Sequence, residues 1–165
     1  MPFRIRPYEK TDFEVLWRLD QICFDPLLAY SRLELAAYMR RPGSFTLVAA
    51  GVAEESDNAR HPVLGFVIAE SRRTTGHIIT IDVVPEARCT GVGSALLQQA
   101  EELLRQAGAA TVALETAVNN VAAVSFYKRH GYSVEKTVPG YYSGQLDALV
   151  MRKELVTGQE SAISP

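Results

Sequence analysis

Residues 91–107 spell an amphipathic helix directly behind an apolar strand, and that junction narrows the folds open to the chain. Val92, Leu96, Ala100, Leu103, Leu104 and Ala107 recur at helical spacing and form one apolar stripe. Gly108 supplies the stop. Before the helix, residues 77–84 read as a strand, carried by the apolar run IITIDVV and ended by Pro85. A helix that is apolar on one stripe must bury that stripe, and neighbouring strands offer the surface.

The remaining elements follow the same alternation. Phe3 and Ile5 alternate with Arg4 and Arg6 as a short strand ended by Pro7. Apolar spacing predicts a helix over 12–23, closed by Pro26 and the loop FDPLLAY. Ser31 followed by Glu34 is a capping box for a second helix over 31–39. Strands are expected over 44–53, 63–73 and 77–84, with a polar loop over 54–62. A strand over 111–116, a helix over 120–130, a strand over 132–138, the loop PGYYSG and a strand over 145–153 complete the order. This predicts a three-layer α/β fold, a mixed central sheet of seven strands with four helices, in one domain over 1–156. The small polar stretch 157–165 is expected to be a tail.

With 165 residues, 47% of them apolar, the chain can bury a core without disulfide or metal staples. A net charge of −2 argues against a general nucleic-acid binder. Cys23 and Cys89 lack a paired motif and are expected to be free thiols in a reducing compartment. The start MPFRIRPYEKTDFEVL lacks the apolar core of a signal peptide. No apolar stretch approaches the roughly 20 residues of a membrane span. A cytoplasmic, membrane-free location is the expectation. His61, His77 and His130 stand apart in the sequence and suggest no metal site.

Arg88-Cys89-Thr90-Gly91-Val92-Gly93 occupies the junction of strand and helix. Its two glycines leave the backbone N–H groups open, and the helix points its partial positive end at them, as an anion site requires. A ligand-free strand-to-helix turn would have the same letters. A P-loop is excluded because no G-K-[ST] is present, and a Rossmann fingerprint because no third glycine stands near Leu96. Glu115 lies in the otherwise apolar VALETAV, where a carboxylate is costly unless solvated or hydrogen-bonded. It is either a working base or the polar end of a strand. Tyr127 falls two helical turns after Asn120 and is either a proton donor or a core aromatic. Asn120 suits a helix cap.

The stretch IDVVPEARCTGVGSALL resembles the cofactor motif of the GNAT acetyltransferase superfamily, in which R/Q-x-x-G-x-G/A binds the pyrophosphate of acetyl-CoA. LETAVNNVAAVSFYKRHGY and GYYSGQLDALVM are similar to the matching segments of the RimI-like N-terminal acetyltransferases. The resemblance implies a GNAT fold and acetyl-CoA as cofactor, held by Arg88, Cys89, Thr90, Gly91, Val92, Gly93 and Ser94. It adds Asn120 to the cofactor contacts, while Lys128 and Arg129 on the same helix either reach a phosphate or form a solvated helix face. It assigns the backbone of Asp82, Val83 and Val84 to the pantetheine arm and the thioester carbonyl. Glu115 becomes the general base and Tyr127 the general acid. Tyr30, Tyr141 and Tyr142, on the loops CFDPLLAYS and PGYYSG, become the acceptor contacts, with ordinary hairpin and loop packing as the other reading.

The implied activity is direct acetyl transfer to a primary amine, above all the N-terminal α-amine of a protein or peptide, ribosomal proteins included, by a monomer or homodimer. A transferase for a small amine such as a polyamine, amino acid or antibiotic, and a non-catalytic acyl-CoA-binding module, are the alternatives. Three departures stand out. Ser143-Gly144-Gln145-Leu146-Asp147-Ala148 replaces the family's D-G-E-D-A, TAVN follows Glu115 where V-R-A-S is frequent, and Cys89 sits where Arg or Gly is common. A helix N-terminus could also activate Cys89 as a nucleophile, whereas the resemblance implies direct attack.

Overall fold

The structure is a computed structural model, described for residues 2–52 and 61–155. The expected tail over 157–165 and most of the expected loop over 54–62 lie outside the described residues.

Seven strands and four helices follow in the expected order. They are β1 (Phe3–Pro7), α1 (Phe13–Cys23), α2 (Arg32–Arg40), β2 (Ser44–Gly51), β3 (Val63–Arg72), β4 (Thr75–Val83), α3 (Val92–Gln106), β5 (Thr111–Ala117), α4 (Val121–Arg129), β6 (Ser133–Tyr142) and β7 (Leu146–Glu154). Short 3-10 turns at Lys10–Asp12 and Pro85–Ala87 precede α1 and α3. The strands form one sheet in the order β1-β2-β3-β4-β5-β7-β6. Pairing is antiparallel for β1 with β2, β5 with β7 and β6 with β7, and parallel for β4 with β5. The sheet is therefore mixed, and the parallel pair is what requires α3 as a crossover.

Local chemistry sets the element ends. Ser31 Oγ accepts from Glu34 N at 3.1 Å while Glu34 Oε1 accepts from Ser31 N at 3.1 Å, the reciprocal capping expected of these letters. Asn120 Oδ1 accepts from Ala123 N at 3.1 Å and caps α4. One expectation fails. PGYYSG is not a loop: Pro139 to Tyr142 complete β6, and the turn is confined to residues 143–145. Gly140, at φ +63°, donates its N–H to Asp147 Oδ1 at 2.8 Å, and the β6–β7 register shifts between Val138 and Tyr142. The strand continues through this bulge, so Tyr141 and Tyr142 are strand residues.

The chain divides into two compact units, Met1–Ala69 with Thr80–Ala100, and Glu70–Ile79 with Glu101–Pro165. The first buries Leu16, Leu35, Val48, Phe66, Ile68 and Leu96. There Gly65 of β3 is required by packing: a Cβ on it would lie 2.6 Å from the Asp82 carbonyl oxygen of β4, a backbone atom with no room to give. The second unit buries Ile78, Leu104, Val112, Leu114, Tyr132 and Met151.

Candidate active site

In the first unit, β4 ends at Val83 and the chain turns through Pro85–Ala87 into the Arg88–Ser94 corner. Arg88, Cys89, Thr90 and Gly91 are exposed, Gly93 and Ser94 half-buried. Cys89 and Gly91 both adopt positive φ, +62° and +95°. The Thr90 hydroxyl donates to the Ala87 carbonyl and braces the turn. A Cβ on Gly91 would meet nothing within 4 Å, so that face of the backbone is open. Ala95 N donates to Gly91 O at 3.0 Å, so by helix geometry the N–H groups of the first turn lie ahead of the ladder. Val92 is 1% exposed, and its side chain serves the core. Arg88 donates from Nε to Val83 O at 3.3 Å and from Nη2 to Cys23 Sγ at 3.6 Å.

The strand end itself is partly spoken for. Val84 donates its N–H to Leu64 O at 2.9 Å and accepts from Ala87 N at 3.0 Å, while the Val83 carbonyl takes Arg88 and Cys23. Asp82 turns its side chain into the interior with no exposure. Burial and the adjacent Asp20 hold its carboxyl well above the usual carboxylate range. Tyr30, between α1 and α2, is half-buried with its ring 5.2 Å from that of Tyr38.

In the second unit, β5 carries Glu115 on the face opposite its buried Val112 and Leu114. The parallel register sets His77 of β4 beside Ala113, two residues short of Glu115 on the same face. His77 Nε2 lies 2.5 Å from Glu115 Oε2, with both side chains about one quarter exposed, at 28% and 23%. An ionised carboxylate only accepts, so with Glu115 charged the His77 Nε2 bears the proton. Tyr142, half-buried, has its hydroxyl pushed above its ordinary range by burial, then by Tyr141 and Glu115. Tyr141 is 48% exposed and packs edge-on against Tyr142 at 4.9 Å.

Tyr127, 9% exposed, sits in an aromatic cluster with Phe126 at 5.2 Å and Tyr132 at 5.6 Å. Lys128 is exposed on the same helix. His130, the C-cap of α4, is pushed below its ordinary value by burial.

Sequence reasoning did not reach two partners, His77 for Glu115 and Asp20 for Asp82. Only strand register in the first case and helix packing in the second bring these residues together. Among the described residues, no three His, Cys, Asp or Glu side chains group in a way that could hold a metal ion. None of the described helices is long and apolar enough to cross a membrane.

The acetyltransferase (GNAT) family model matches residues 12–132. An uncharacterized N-acetyltransferase of Methanocaldococcus jannaschii is 38% identical over 93 residues, 56% of this chain and 60% of that protein. N-alpha-acetyltransferase 20 of Dictyostelium discoideum is 37% identical over 94 residues, 56% of this chain and 54% of that protein. The chain thus spans less than two thirds of the length of these relatives. Ard1 from Thermoplasma volcanium matches with a TM-score of 0.82 at 25% identity, over 95% of this chain and 100% of that one.

Proposed function

Because the chain belongs to the acetyltransferase (GNAT) family, we propose that it moves an acetyl group from acetyl-CoA to the α-amine of a protein or peptide N-terminus. The observation that carries this reading is the Glu115 carboxylate, accessible on β5 and held at 2.5 Å by His77. A free α-amine has a pKa of about 7.7–8.0, so near neutral pH only a modest proton removal is needed. Glu115 takes that proton, directly or through one water, while the His77 bond fixes one carboxylate oxygen and leaves the other for the work. Tyr127 donates its phenolic proton to the departing thiolate. The name of the Dictyostelium relative specifies an α-amine, which supports the choice of acceptor.

The first unit fits the cofactor's phosphates. Gly91 leaves an open backbone face, Arg88 stands exposed beside it, and α3 is a 15-residue helix with its N-terminus there. When bound, acetyl-CoA supplies an acetyl thioester. Arg88 and the α3 N-terminus hold its pyrophosphate. Gly91→Ala places a methyl group on that open face and strains a backbone at φ +95°. It is expected to weaken acetyl-CoA binding by about tenfold, the scale of 1.4 kcal/mol, in isothermal titration. Unchanged affinity would remove this corner from the cofactor site.

Tyr30, Tyr141 and Tyr142 are the proposed acceptor contacts, since aromatic hydroxyls suit a peptide backbone. The reading is tested by mass spectrometry after incubation with acetyl-CoA and a mixed panel. The panel holds free N-terminal peptides, ribosomal-protein N-termini among them, N-blocked peptides with lysine, and polyamines. Acetylation confined to free N-termini is expected. Acetylation of lysine or polyamines alone would reassign the acceptor, and acetyl-CoA binding without turnover on the panel would favour a binding module.

A further inference from the structure

α1 buries Leu16, Leu19 and Asp20 on its inner face, and β4 buries Ile78, Thr80 and Asp82. Two carboxyls are thereby driven together in the first unit, each with 0% exposure. Asp20 Oδ2 accepts the Tyr30 N–H at 2.7 Å, and Asp82 Oδ1 accepts the Thr80 hydroxyl at 2.6 Å. The remaining oxygens, Asp20 Oδ1 and Asp82 Oδ2, have no donor. The two carboxyls are neighbours, because the end of α1 lies against the end of β4, where Cys23 Sγ donates to Val83 O at 3.4 Å, and burial with the adjacent Asp20 raises Asp82. Two ionised carboxylates only accept and repel each other, and one proton between them would give both orphaned oxygens a partner.

The groups facing the pair do not replace that proton. Glu34 of α2 adds negative charge to Asp20. The Cys23 thiol, at the end of α1, is pushed up by burial and by Asp82. Arg88 faces Asp82 as a cation, but it is exposed and bonded to Val83 O and Cys23 Sγ.

The same pair holds a candidate acceptor residue. The Tyr30 peptide is fastened to α1 at both ends, its N–H by Asp20 and its carbonyl by Trp17 Nε1 at 3.2 Å and Gln21 Nε2 at 2.7 Å. We propose that Asp20 and Asp82 share one proton and act as a positioning pair for the Tyr30 segment, so that acceptor binding depends on that proton. The acceptor part rests on the reading of Tyr30 given above. The sign follows from burial, which raises both carboxyls. The pair's stabilisation is complete below the ordinary carboxylate range and is lost as pH rises through its raised value. Two like charges then face each other in a dry site, and the Tyr30 peptide moves with Asp20.

The test compares wild type, Asp20→Asn and Asp20→Ala with the best peptide of the panel between roughly pH 6 and pH 9, a range that also spans α-amine titration. The acceptor's own titration is common to all three enzymes. Asparagine keeps an acceptor for Tyr30 N–H, donates to Asp82 and has no shared proton to lose. The wild-type acceptor KM is therefore expected to climb about tenfold over that of Asp20→Asn at the alkaline end. Asp20→Ala is expected to raise KM about tenfold at every pH, with the smaller change in kcat. Wild-type and Asp20→Asn KM profiles that run parallel would overturn the positioning role.

Thermal unfolding over the same range needs no turnover. The wild-type Tm is expected to fall toward alkaline pH relative to both Asp20→Asn and Asp82→Asn, and parallel curves would overturn the shared proton. If Tyr30→Ala leaves acceptor KM unchanged, the acceptor reading of Tyr30 fails, while the melting curves still decide the pair.

Discussion

Glu115→Gln is expected to lower kcat by about two to four orders of magnitude at neutral pH, the range set by loss of a general base. Glutamine keeps the shape of the side chain and an oxygen that accepts from His77 Nε2, now 2.5 Å from the carboxylate, so the fold and the β4–β5 pairing should persist. Acetyl-CoA affinity is expected to be unchanged, since the Arg88–Ser94 corner makes no use of Glu115. The deficit should shrink toward alkaline pH, because the acceptor α-amine loses its own proton above about pH 8 and needs the base less. Single-turnover kinetics across pH, with a melting curve for each variant, provide the measurement. Tyr127→Phe should lower the chemical step without that alkaline recovery, as its deficit lies in protonating the thiolate. Full turnover by Glu115→Gln at neutral pH would end the assignment.

The second large effect is on stability. Glu101, on α3, is 8% exposed and accepts from the Tyr132 hydroxyl at 2.8 Å and from Lys153 Nζ at 3.1 Å. The Lys153 ammonium also lies 5.7 Å from the centre of the Tyr132 ring. Tyr132 is 3% exposed, and burial together with the Glu101 charge holds its hydroxyl above its ordinary range. It stays protonated and donates. Glu101→Ala strands a buried hydroxyl and a mostly covered ammonium while opening a small void. The expected cost is about 3 kcal/mol, below the upper range for a fully buried pair because Lys153 keeps some solvent. For a chain of this length that lowers Tm by roughly 6–12 °C. Tyr132→Phe removes donor and hydroxyl together and leaves the Glu101–Lys153 pair, so a loss near 1 kcal/mol is expected. A Glu101→Ala protein melting within about 2 °C of wild type would show that the network carries little of the fold's stability.

Much of this architecture was legible in one dimension. Helix α3 and its stop depend on apolar spacing and Gly108, both local properties, and the Ser31–Glu34 box and Asn120 cap act within three residues. Wherever a residue's partner lies a turn or a strand-step away, the letters name it. β6 shows where locality misleads. Glycines and tyrosines over 139–144 read as a loop, but the Gly140–Asp147 bond joins residues on facing strands and lets β6 continue through a bulge. The letters of the Arg88–Gly93 segment and their resemblance pointed to an anion corner, and in the structure a Cβ on Gly91 would meet nothing within 4 Å.

The sequence by itself determined the order of the elements, the strand-to-helix corner and the placement of Glu115 on a strand face opposite the core, because period, caps and stops are short-range. The tertiary structure alone decided which groups those residues meet. His77 reaches Glu115 only through the parallel register of β4 with β5, across 38 positions of sequence. Asp20 meets Asp82 only because α1 and β4 each turn a carboxyl inward. Pairings of that kind depend on long-range burial, which costs a lone charge too much and so forces it to find a partner or share a proton.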